Sequence, residues 1–102
     1  MLKANNGICA LSGDLTFATT AELKTAGEAL LQESAALAAM TFDLANVGKV
    51  DSSALALFLA WLRAAKTKSQ NLQFINIPQA LAELADLYSL STILPLQHNE
   101  RH

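Results

Sequence analysis

The sequence predicts an α/β domain: a mixed β-sheet of about four strands with three main helices packed on it. Three observations carry that prediction. Segments with apolar residues at every second position alternate along the chain with segments of helical spacing. Strands separated by helices favour parallel pairing through right-handed crossovers. The chain has 102 residues, 52% of them hydrophobic, enough for one core without covalent staples. The order reads β-β-α-β-α-β-α, with residues 1–102 as a single domain. Residues 97–102 form a polar tail expected to be disordered.

Residues 8–11 (I-C-A-L) read as a strand, followed by a Ser12-Gly13-Asp14 turn and a second short extended piece. Thr19-Thr20-Ala21-Glu22 has the spacing of a capping box. Leu23, Ala26, Leu30 and Leu31 then give a helical stripe from Thr20 to Glu33 or slightly beyond. Gly27 weakens that helix by ~1 kcal/mol relative to alanine. Residues 40–47 alternate Met40, Phe42 and Leu44 against Thr41, Asp43 and Ala45, which is strand periodicity. Residues 46–49 form a short loop, and Asp51 caps a central helix that ends near Lys68. Arg63, Lys66 and Lys68 suit the negative end of its dipole. Asn71 marks a turn. Residues 72–77 form the next strand, with Leu72, Phe74 and Asn76 on one face and Gln73, Ile75 and Ile77 on the other. Pro78 opens a third helix with a stripe of Leu81, Leu84, Ala85 and Tyr88. A further short strand near residues 93–96 precedes the tail.

Only 16% of the residues are charged. So little polar surface on a small globule points to a face that meets a partner. A net charge of −2 lacks the clustered basic excess that nucleic acid requires. Cys9 is the single cysteine, which excludes an internal disulfide and fits a reducing compartment. The opening M-L-K-A-N-N-G lacks the features of a signal peptide. No run approaches ~18 uninterrupted apolar residues, so direct membrane insertion is not expected. The expected location is cytoplasmic.

The central helix begins V-D-S-S and continues through nine apolar residues, Ala54 to Leu62. At 100° per residue, Leu55, Phe58, Leu59 and Leu62 form a bulky stripe that should face the sheet. On the other side lie Ser53, Leu57, Ala60 and Ala64, with Trp61 at their edge. That second face either packs beneath another element of the same domain, such as the third helix, or is buried by a partner. The partner reading leads, because small residues permit close approach and tryptophan is frequent among binding hot spots. Burying Leu57 and Trp61 there would contribute ~2–5 kcal/mol. Ser53 stands at the entrance to this face. A phosphoryl group on it, carrying ~−1.5 to −2 charges, would be tolerated by a helix N-terminus but costly against an apolar partner. Capping is the structural role open to Asp51, Ser52 and Ser53 alike.

The element order, with V-D-S-S-A-L at the strand-to-helix junction, resembles the STAS domain (sulfate transporter and anti-sigma factor antagonist). That family's signature is an aspartate, a Ser/Thr pair and a glycine opening the central helix. Val50-Asp51-Ser52-Ser53 matches it, while Ala54 stands in place of the glycine and crowds a backbone that a kinase would need to reach. Within the family the chain is most similar to the Mla branch, the cytosolic STAS subunit of a phospholipid-transport ABC system. A-L-S-G-D-L at 10–15, F-D-L-A-N-V-G-K-V-D-S-S-A-L-A-L-F-L at 42–59 and L-A-E-L-A-D-L-Y-S-L at 81–90 carry that likeness. The resemblance implies a non-enzymatic subunit that binds the transporter's ATPase, peripheral to the inner membrane through that partner. It implies Ser52 as the functional hydroxyl of the Mla branch and Ser53 as the phosphorylated serine of anti-sigma factor antagonists, the alternative function. The expected partner-binding residues are Ser52, Ser53, Leu57, Trp61, Leu84, Leu87 and Tyr88. An unpartnered greasy face can also pair two copies into a homodimer when the chain is isolated.

Other candidates for chemistry fall away. His98 and His102 lie in the polar tail, with too few companions for a metal site. Cys9 sits in an apolar strand context and reads as an inert buried thiol. Asp43 and Asp51 read as loop and cap residues rather than an acid pair. Gly48-Lys49 lacks the rest of a phosphate loop, and Arg63, Lys66 and Lys68 read as a solvated helix end. No catalytic residue, metal or cofactor is expected. A small enzyme would need a concave polar pocket that the sequence does not announce.

Overall fold

The computed structural model describes residues 2–5, 7–33, 38–91, 93–94 and 96–98. Its elements run β1 (Leu2–Asn5), β2 (Ile8–Leu15), α1 (Thr20–Glu33), β3 (Ala39–Val50), α2 (Ser53–Thr67), β4 (Asn71–Ile77), α3 (Gln79–Leu87) and β5 (Leu96–His98). The five strands lie side by side in chain order. β1 pairs antiparallel with β2, and β2 through β5 are mutually parallel. With sequential order and right-handed crossovers, all three helices stack on one face of the sheet. Cys9, Leu11, Met40, Phe42, Leu44, Leu72 and Phe74 point into that face and are buried. Phe42, Phe58, Trp61 and Phe74 form its centre, with Phe58 stacked on Phe74 at 4.3 Å between ring centroids and Phe42 on Trp61 at 4.5 Å.

Among the described residues the sheet thus has five strands rather than about four. β1, L-K-A-N, shows no strand alternation and is held as an edge by its ladder with β2. The last strand falls at Leu96–His98 instead of 93–96. Gln97 and His98, assigned to a disordered tail, therefore belong to β5, while 99–102 lie outside the described residues.

Three local expectations also change. The Ser12-Gly13-Asp14 segment is a continuation of β2 rather than a turn. Gly13 takes φ 91°, and at each register shift beside it the extra residue lies on β3, so β2 keeps its alternation and Leu11 and Leu15, four apart, both reach the core. Residues 46–49 are likewise the far half of β3 rather than a loop. Asp14 Oδ1 accepts the Lys49 N–H at 2.9 Å, and a Cβ on Gly48 would come within 2.6 Å of that oxygen. In β4, Asn76 adopts φ 56° beside a register shift, which reverses the alternation. Ile77 turns into the core, and Asn76 Nδ2 donates to Asp43 Oδ1 at 2.9 Å. The capping box at α1 is absent too: Thr19 Oγ1 accepts the Thr16 N–H at 3.0 Å and donates to the Asp14 carbonyl at 2.8 Å.

Candidate docking site at the start of the central helix

The parallel ladder between β2 and β3 ends at Leu15 and Val50, and the Asp51 N–H donates to the Leu15 carbonyl at 3.1 Å. This fixes Asp51 between the exits of the two strands. Its Oδ1 accepts both the N–H (2.9 Å) and the hydroxyl of Ser53, the first residue of α2. Its Oδ2 accepts the Phe17 N–H at 2.9 Å from the β2–α1 connection. The Ser53 hydroxyl, then the Phe17 amide, hold the Asp51 carboxyl below its ordinary range; desolvation opposes them, and the Ser53 amide adds to the lowering. One carboxylate therefore satisfies an orphan helix amide and ties down a neighbouring loop.

Ser52 and Ser53 differ accordingly. Ser52 occupies the N-cap in a right-handed conformation (φ −64°, ψ −18°), and its side chain makes no cap hydrogen bond. It is exposed. Ser53 is half-buried, with its hydroxyl turned back onto Asp51. Phe17, which the sequence did not single out, projects beside them with 87% of its surface exposed. Its signal was present: a large aromatic in the short connection between a strand and a helix, where no core-facing periodicity accounts for it.

The apolar side of α2 requires a correction. Leu57 and Trp61, expected as the exposed centre of a docking face, are 2% and 0% exposed. The cover is α1. A Cβ at Gly27 would overlap the Trp61 indole, so the glycine leaves the slot in which the ring lies. Trp61 Nε1 donates to the Lys24 carbonyl at 3.3 Å, which settles the ring's polar atom. Ala60 is buried as well, whereas Leu59 and Leu62 of the expected inward stripe are only half-buried. The helix has one broad buried arc, covered by sheet and α1 together, with Trp61 near its middle. Its outer line is Ser52, Ala56, Arg63 and Lys66, all exposed.

On α3, Leu81, Ala82 and Ala85 are buried and Leu84 is half-buried. Leu87 and Tyr88 are 74% and 53% exposed. Tyr88 caps the helix end rather than continuing its buried stripe. None of Leu84, Leu87 and Tyr88 lines the groove beside Ser53. Cys9 is buried, and Asp43 accepts the Ala45 amide as well as Asn76, a structural role.

A family model described as "Mlab, STAS domain" matches residues 2–96. The chain belongs to the MlaB-type STAS family. Among solved structures, this STAS domain is similar to a chain of an Acinetobacter MlaFEDB complex in an ATP-bound conformation. That match has TM-score 0.81 and 24% identity, covering 95% of this chain and 99% of the other. It is similar to the anti-sigma factor antagonist SpoIIAA in its unphosphorylated form, at TM-score 0.76 and 12% identity, over 99% of this chain and 88% of that one. An anti-sigma factor antagonist from Mycobacterium paratuberculosis matches at TM-score 0.76 and 20% identity, over 98% and 84%. At these identities the matches establish a shared STAS fold. No curated protein matches the chain. Among the described residues, no helix is long and apolar enough to cross a membrane.

Proposed function

We propose that the chain is a non-enzymatic STAS adaptor that binds the ATPase subunit of an ABC-type phospholipid transporter and supports its assembly and activity. The observation that carries this reading is the MlaB-type family match across residues 2–96. The similarity to a chain of an MlaFEDB complex, over nearly the full length of both chains, supports it. Docking through the start of α2 is favoured by the exposed Ser52 and the neighbouring exposed Phe17. Leu87 and Tyr88 are a second exposed apolar group that such a partner would bury. Docked this way, the chain would sit at the cytoplasmic side of the inner membrane. Co-expression with the ATPase subunit from the same genome tests the reading: a stoichiometric complex is expected on size exclusion. A folded adaptor eluting alone would contradict it.

A second reading, an anti-sigma factor antagonist switched by phosphorylation of Ser53, is favoured by the similarity to SpoIIAA and its relatives. It requires the Ser53 hydroxyl to leave Asp51 before it can be modified. A one-phosphate mass shift in cells, abolished by Ser53→Ala, is its signature; unmodified Ser53 under all growth conditions would remove it.

A further inference from the structure

The outer line of α2 does not stand alone. Between it and the first turns of α1 runs an open groove of about 410 Å³ that ends at Phe17 and Ser53. Ala56, Leu59 and Ala60 form its floor, and a cation stands on each wall: Lys24 on α1 and Arg63 on α2. Among the described residues no carboxylate lines it, although the whole chain is acidic, with net charge −2. Lys24 is already paired with Glu28 at 3.1 Å. Arg63 is exposed and makes no ion pair or side-chain hydrogen bond among the described residues.

We propose that this groove receives an acidic amphipathic helix of the protein partner, with Phe17 as the apolar anchor at its end. The proposal rests on the adaptor reading and names the chemistry of what that adaptor grips. Ala56 is exposed and adds no bulk to the outer line, and Ala60 lies buried at the base of the groove, so a helix can lie close along the crease between α1 and α2. Its apolar stripe would cover Ala56, Leu59 and the Phe17 ring. A carboxylate one turn along would meet Arg63, whose planar guanidinium offers paired donors to a carboxylate. Two cations, one of them already paired with Glu28, are too few to hold the chain on an anionic lipid surface, which asks for a cluster of basic residues.

The test uses the full chain and the purified ATPase subunit, with dissociation constants measured at low and high salt. Arg63→Glu and Phe17→Ala should each weaken binding at least about ten-fold, and the Arg63→Glu loss should shrink as salt screens it. Arg63→Lys, which keeps the charge, should stay closer to wild type. Both positions are exposed, so thermal unfolding should be unchanged and will show that the variants are folded. Tight wild-type binding that neither variant weakens would overturn the groove and leave the adaptor standing. No binding by folded wild type would overturn both. Binding to phosphatidylglycerol vesicles that Arg63→Glu abolishes, with ATPase affinity untouched, would assign the groove to lipid and overturn the proposal.

Discussion

At the residue scale, Asp51 does the most with the fewest atoms. It caps the first amide of α2, holds the Ser53 hydroxyl and pins the loop that carries Phe17. Its carboxyl lies below the ordinary value of 3.8 in the folded chain. Its contribution to stability is therefore fully present above the unfolded-state value and is lost as pH falls through the lower folded one. Urea unfolding of wild type and Asp51→Asn should differ at about pH 7, and the gap should narrow only as pH falls below 3.8 and through the lower folded value; a gap that persists undiminished in acid would contradict the assignment. Ser53→Asp should set two carboxylates against each other. It is expected to lower the melting temperature and weaken partner binding while the circular dichroism spectrum stays folded. A variant as stable as wild type would show that the Ser53–Asp51 bond is unimportant.

At the scale of elements, the decisive fact is that α1 and the sheet share the burial of α2. Gly27 is the point of closest approach, which gives a prediction whose sign separates two accounts. Helix propensity alone would make Gly27→Ala stabilising by ~1 kcal/mol. Overlap with the Trp61 indole should instead make it destabilising by about 1–3 kcal/mol, read from chemical denaturation. Phe58→Ala, which removes the ring stacked on Phe74, should cost about 3–5 kcal/mol; equal stability would mean that the ring is not core. The sequence showed that α2 is greasy nearly all round, but periodicity cannot say whether the second cover is another helix of the chain or another molecule. Gly27 was the clue, legible only beside its distant partner Trp61. The β4 phase error has a similar origin, since the left-handed Asn76 inserts a bulge that an unbroken alternation cannot reveal.

At the scale of the whole molecule, the order of the long elements was legible because their apolar periods differ and because helices between strands enforce parallel pairing. The edge strands were less so: β1 went unread and β5 was displaced, because short edges are fixed by ladder bonds rather than by side-chain pattern. The junction Val50-Asp51-Ser52-Ser53 was visible as a site, whereas the surface around it was not. Its expected apolar centre, Leu57 and Trp61, is interior, and the exposed aromatic is Phe17. What remains outside is the tip of α2 with the outer line Ser52, Ala56 and Arg63, where docking is proposed. The most direct test is the affinity of the purified ATPase subunit for Ser52→Arg. At this exposed position, with no cap bond to lose, docking along α2 predicts an unchanged melting temperature and binding weakened at least about ten-fold. Wild-type affinity in that variant would contradict it.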